Sequence, residues 1–154
     1  MPDVVYSLLL DGNPAPPDLL GSVLRIEVED HARMADMLRL RLALRLREDD
    51  GGWSYVDDGL FARLDTIEVR VQVGSRSPET LIQAHVIETT CRFSATPGES
   101  SLDVVAMDPT VLLDLEEKVR AWPNMSDSDI ATTLFGEHGF ATEVDDTPVR
   151  PDEQ

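Results

Sequence analysis

Met37–Arg47 reads MLRLRLALRLR. Leu38, Leu40, Leu42, Leu44 and Leu46 take alternate positions, with Arg39, Arg41, Ala43, Arg45 and Arg47 between them. A helix turns through about 100° per residue and would scatter the five leucines around its circumference. A strand gathers all five on one face and the arginines on the other. Leu and Arg each favour helix on their own, but the period-two pattern reports which face is buried and outweighs propensity. The stretch predicts a half-buried antiparallel strand, and a mainly β fold follows from it.

The flanking sequence agrees. Val4–Leu10 is a β-rich run closed by Asp11-Gly12-Asn13-Pro14, a turn signal. The prolines of PAPPD, before Leu19, predict a loop. Gly21–Glu29 alternates, with Leu24, Ile26 and Val28 opposite Arg25, Glu27 and Glu29. Thr66–Val73 alternates again, placing Ile67, Val69, Val71 and Val73 inward. Thr80–Phe93 changes phase: Ile82, Ala84 and Val86 share one face, but Ile87, Cys91 and Phe93 the other. A bulge near Val86–Ile87 reconciles the two halves, and bulges bend strands where sheets curve. Ser101–Met107 closes the series, with Leu102, Val104 and Ala106 on one side.

The pattern then becomes helical. Asp108-Pro109 is a helix start, since Asp caps free amides and Pro suits the first helical position. Val111, Leu112 and Leu115 suggest a short helix to about Val119, broken by AWPN. Ser126-Asp127-Ser128-Asp129 is a capping pattern with acids in the first turn, where the helix dipole favours them. Ile130, Leu134 and Phe135 form the apolar face, and Gly136 or Gly139 ends the helix. ATEVDDTPVRPDEQ holds one short candidate strand and a polar run.

Bulk composition excludes several functions. With 154 residues, one domain with a real core is expected. A net charge of −17 repels nucleic acid and anionic membranes, so neither is an expected partner. Cys91 is the sole cysteine, so no internal disulfide forms. No signal peptide or membrane span is expected. The chemistry-bearing motifs are missing as well. Asp127-Ser128-Asp129 opens like a calcium loop, but Thr132 and His138 stand where that loop needs Gly and Glu. His31, His85 and His138 are far apart and lack zinc spacing. The expectation is no catalytic, cofactor-binding or metal residues. Arg39, Arg41, Arg45 and Arg47 are the one charged feature of note. They either pair across strands with Glu27 and Glu29 or form a contact surface for an acidic neighbouring subunit.

The order of these pieces resembles the N-terminal part of phage late control D proteins, the baseplate hubs of contractile tails related to VgrG spike proteins. The resemblance runs from about Val4 to Val144. It rests on the Leu-rich strand, the Gly-Trp turn, IEVRVQVG, and LDVVAMDPTVLLDLEEKVRAWPNMSDSDIATTLFGEHGF. Its matching positions are Asp108, Leu112-Leu113, Trp122, Ser126, Asp129-Ile130-Ala131, Leu134 and Gly139-Phe140. The resemblance implies an antiparallel tail-tube-like β-barrel with one or two short helices near its C-terminal end. It implies a domain over 1–144, with 145–154 a polar linker or the start of a further segment. It also implies a non-enzymatic homotrimer that meets the inner tube protein, the spike and other baseplate proteins. Such a protein is made in the bacterial cytoplasm and ends in a phage tail or injection particle. The alternative reading is a free-standing β-barrel module for a ligand or carbohydrate, with Trp53, Tyr55 and Trp122 as its aromatic platform. An enzyme would need a pocket around His85 and Cys91.

Overall fold

The computed structural model describes residues 3–148. The chain divides into two compact units, Met1–Thr110 and Val111–Gln154. The first holds β1 (Val4–Leu10), β2 (Asn13–Pro14), α1 (Pro17–Ser22), β3 (Val23–Glu29), β4 (Met37–Ala43), β5 (Thr66–Val73), β6 (Glu79–Arg92) and β7 (Ser101–Met107). All strands join one seven-stranded sheet in the order β2-β1-β5-β6-β7-β4-β3. Every ladder is antiparallel.

The Leu strand forms as its pattern requires. Leu38, Leu40, Leu42 and Leu44 are almost wholly buried, at 3% exposure or less. They pack with Leu8, Ile67, Val69, Ala84, Val86, Leu102, Val104 and Ala106 in one core. Register explains this: Leu40 lies opposite Val104 and Leu42 opposite Leu102, so facing strands send apolar side chains the same way. Leu46 departs from the pattern. The strand ends at Ala43, and Leu46 is exposed and bridged to Trp53 instead.

The phase change in β6 is a bulge, as expected. Val86 lies opposite Ala106 and Glu88 opposite Val105, leaving Ile87 as the extra residue. Past it, Thr89 and Cys91 face Val104 and Leu102 on the core side. Further register shifts fall at Leu24 in β3 and Leu81 in β6.

Three expectations are corrected. The sheet does not close into a barrel. Closure needs its two outer strands to pair, but among the described residues the ladder ends at β2 on one side and β3 on the other. PAPPD is not all loop, because α1 starts at Pro17, where a fixed φ and a missing N–H cost nothing. The helix expected to reach Val119 is a 3-10 turn over Pro109–Asp114. Val119 is fully exposed, so no buried stripe extends the helix.

In the second unit, α2 (Asp127–Glu137) has the capping box read from its sequence. The Ser126 hydroxyl accepts from the Asp129 N–H at 3.1 Å, while Asp129 Oδ2 accepts from the Ser126 N–H at 3.3 Å. Gly139, at φ +77°, ends it. Phe140 N–H donates to Phe135 O and Gly139 N–H to Gly136 O, a Schellman arrangement. The Phe135 and Phe140 rings meet edge to face with centroids 6.1 Å apart. Thr147 ties the following segment to the helix start, its hydroxyl accepting from the Ser128 N–H at 2.9 Å. Residues 141–148 contain no strand.

Candidate functional site

The sheet buries one face and presents the other to solvent. On the outward face, β4 places Arg39 and Arg41 between β3 and β7. Arg41 lies opposite Asp103 on one side and Arg25 on the other, while Arg39 lies opposite Glu27. Two arginines directly opposed repel unless carboxylates intervene. Here they do. Arg41 Nε reaches Asp103 Oδ1 at 2.5 Å and its Nη2 reaches Oδ2 at 3.2 Å. Arg92 on β6 donates to the same Oδ2 at 2.7 Å. Arg25 pairs with Glu27 at 2.5 Å, and Arg39 with Glu29 at 3.2 Å. All of these groups but Glu29, with Glu88 and Thr90, line a shallow concavity of about 380 Å³.

Asp103 is the hub of this network. The Arg41 guanidinium holds its carboxyl below the ordinary aspartate range; burial opposes this, and Arg92 adds to the lowering. Asp103 in turn raises Arg41 further. A depressed folded pKa stabilises the fold above the unfolded value, about 3.9 for Asp, and that stability is lost as pH falls through the folded value. Denaturant melts of wild type and Asp103→Asn should therefore differ most near neutrality and converge in acid. A gap that stays constant from neutrality into acid would show that Asp103 acts through packing instead.

The four arginines singled out in the sequence do not form one patch. Arg39 and Arg41 sit on β4, with Glu29 and Asp103 as partners. Arg47 lies beyond the strand and binds Asp50 and Asp58. The Arg45 side chain makes no hydrogen bond or ion pair among the described residues, although its backbone N–H donates to Ser54 Oγ at 3.0 Å. Arg92 and Asp103 were not singled out. Arg41 and Asp103 are 62 positions apart, and only the strand order brings them together.

Other candidates resolve differently. Trp53 packs on the core and against Phe93, with ring centroids 5.0 Å apart. Tyr55 is partly buried against the core, and Trp122 lies under the Arg120 guanidinium at 4.1 Å. Trp53 and Tyr55 thus turn toward the core, and Trp122 toward Arg120. His85 donates from Nδ1 to Leu64 O at 3.1 Å. It lies before the bulge and Cys91 after it, opposite Met107 and Leu102 respectively, so they form no nucleophile–base pair. Asp127 and Asp129 serve the start of α2. Among the described residues, no grouping of His, Cys, Asp and Glu could hold a metal. No described helix is long and apolar enough to cross a membrane.

The sheet margins carry exposed apolar side chains. On β1 these are Val4 at 65%, Val5 at 59% and Tyr6 at 42% exposure. On β3 they are Leu24 at 59% and Val28 at 38%. β2 covers only Leu9 and Leu10 of β1, and nothing among the described residues pairs with the outer side of β3. Unpaired edges with apolar side chains are templates for another strand.

No protein-family model and no curated protein sequence matches the chain. Solved structures do. The tail protein from Neisseria meningitidis MC58 aligns over 87% of this chain with a TM-score of 0.52 and 13% identity. The 43 kDa tail protein of prophage MuSo2 from Shewanella oneidensis aligns over 89%, with a TM-score of 0.56 and 14% identity. At such identities the likeness is one of fold. This chain spans 34% and 38% of those two chains, roughly a third of each.

Proposed function

We propose that this chain is a structural, non-enzymatic component of a phage tail or contractile injection particle. Its place is the baseplate hub, as the first tube-like domain over 1–144, followed by a polar segment. As a homotrimer it would join the hexameric inner tube to the trimeric spike, contacting other baseplate proteins. It is assembled in the bacterial cytoplasm. The observation that carries this reading is the fold shared, over most of the chain, with two tail proteins, one of them from a prophage. Open β edges support it, because strand addition is a ready means of joining subunits. The resemblance to late control D and VgrG-like hubs supports the finer placement. A free-standing carbohydrate module draws no support from Trp53 and Tyr55, which pack against the core, or from Trp122, whose ring stacks on Arg120.

An affinity tag on the natural gene product, in its own host, tests the reading. Pull-down followed by mass spectrometry should recover tube and baseplate proteins at fixed ratios. Recovery of the chain alone under particle-producing conditions would refute a tail role.

A further inference from the structure

We infer that Arg92 and Arg41 of one copy receive the acidic segment Glu143–Asp146 of a second copy, head to tail. The inference rests on the homotrimer of the proposed reading and names a contact that holds it together. It uses neither edge of the sheet.

The receiving face carries a cation that the fold does not balance. Arg41 and Arg92 both donate to the Asp103 carboxylate, so two guanidiniums share one negative charge. Arg25 and Arg39 close pairs of their own with Glu27 and Glu29 and add no surplus. Arg92 donates through Nε alone. Its Nη1 and Nη2 find no acceptor among the described residues, and its side chain is 66% exposed. A guanidinium offers five N–H donors in a planar fork suited to carboxylates. Arg92 can therefore take a second carboxylate without releasing Asp103, and the concavity beside it is open to an incoming segment.

Glu143, Asp145 and Asp146 supply the complement. All three are exposed and make no hydrogen bond or ion pair among the described residues. Other acidic runs are already engaged: Asp50 and Asp58 by Arg47, Glu116 by Lys118, and Asp129 by the Ser126 N–H. Residues 141–148 have no regular secondary structure, and Thr147 fastens their end to Ser128. That anchor lowers the ordering cost of docking. Neither the surplus cation nor the free carboxylates find each other within one chain, so the contact runs between copies. A segment of one copy on the arginines of the next is a heterologous contact, which closes into a ring where the rotation fits, here after three copies.

The test is light scattering on the natural, full gene product over a concentration series, beside a variant carrying Glu143→Gln, Asp145→Asn and Asp146→Asn. Those side chains hold no contact within the chain, so the variant should keep the wild-type circular dichroism. It removes three negative charges from a chain of −17. Relief of general repulsion alone would strengthen association. The inference predicts the opposite sign. Wild type should give three protomers, and the variant should associate at least about tenfold more weakly, because every copy loses charge-assisted hydrogen bonds. Arg92→Gln should also weaken the trimer, and combining it with the acid variant should add little, since both act at one contact. An acid variant that associates as well as wild type, or better, would overturn the inference and leave the trimer standing. A wild-type mass other than three protomers would overturn it too, and recovery of the chain with tail proteins would then still support the tail reading.

Discussion

Leu40→Ala is expected to destabilise the sheet unit by about 2–5 kcal/mol. Leu40 is 1% exposed in the central run of β4, opposite Val104 on one side and Ile26 on the other. Three carbons, Cγ and the two methyls, leave a site hemmed by two ladders, whose hydrogen bonds keep the strands from closing on the cavity. A loss of that size is a large part of the roughly 5–15 kcal/mol that holds a domain together. Urea unfolding followed by far-UV circular dichroism should show a lower midpoint with little change in slope. Leu46→Ala is the control: Leu46 is 58% exposed and should change stability by less than about 1 kcal/mol. Equal losses at the two positions would contradict the burial pattern derived for this strand.

The second large effect belongs to Asp108, which fastens the end of β7 to the approach to β4. Its Oδ2 accepts the Asp36 N–H at 2.9 Å, and its own N–H donates to Asp36 O at 3.0 Å. Its Oδ1 accepts the Thr110 N–H at 2.7 Å and the Thr110 hydroxyl at 2.5 Å. Asp36 Oδ1 extends the chain by accepting the His31 N–H at 2.7 Å. Burial alone would push the Asp108 carboxyl up, but hydrogen bonds from Thr110 and Asp36 outweigh it and bring it below the ordinary range. Asp108→Ala strips the acceptor from two backbone N–H groups, a loss of about 1–3 kcal/mol. Asp108→Asn keeps one acceptor oxygen and should recover part of it. The folded pKa is depressed, so the contribution is complete above about pH 3.9 and is lost as pH falls through the folded value. Hydrogen exchange should show faster opening at Asp36 and Thr110 in the Ala variant. Unchanged exchange there would remove Asp108 from this role.

These two residues mark what the sequence could disclose. Leu40 was legible because burial on one face of a strand writes a period of two into the chain. The bounds of β1, β5 and β7, and the bulge in β6, were legible for the same reason. The capping box at Ser126 was legible because its partner lies three residues away. Asp108 was read as a helix cap, and it does accept from Thr110; its tie to Asp36, 72 positions distant, left no local trace. The Asp103 network was hidden likewise. The arginines of β4 were matched only with Glu27 and Glu29 of the preceding strand or with a neighbouring subunit, whereas β4 sits between β3 and β7. Closure was expected from the resemblance and had no support in the pattern itself, because alternation reports which face of a strand is buried, not whether the last strand meets the first. The helix expected after Asp108 failed because a few apolar residues at helical spacing do not make a face unless something covers them, and Val119 is bare.

The central claim is that this chain sits in a tail at the junction of tube and spike. Cryo-electron microscopy of particles isolated from the natural host, with the chain carrying a compact density tag, tests it most directly. The account predicts three copies of the tag around the particle axis, at the level where sixfold tube gives way to threefold spike. Particles that are complete without the tag, or that carry it away from that junction, would contradict it.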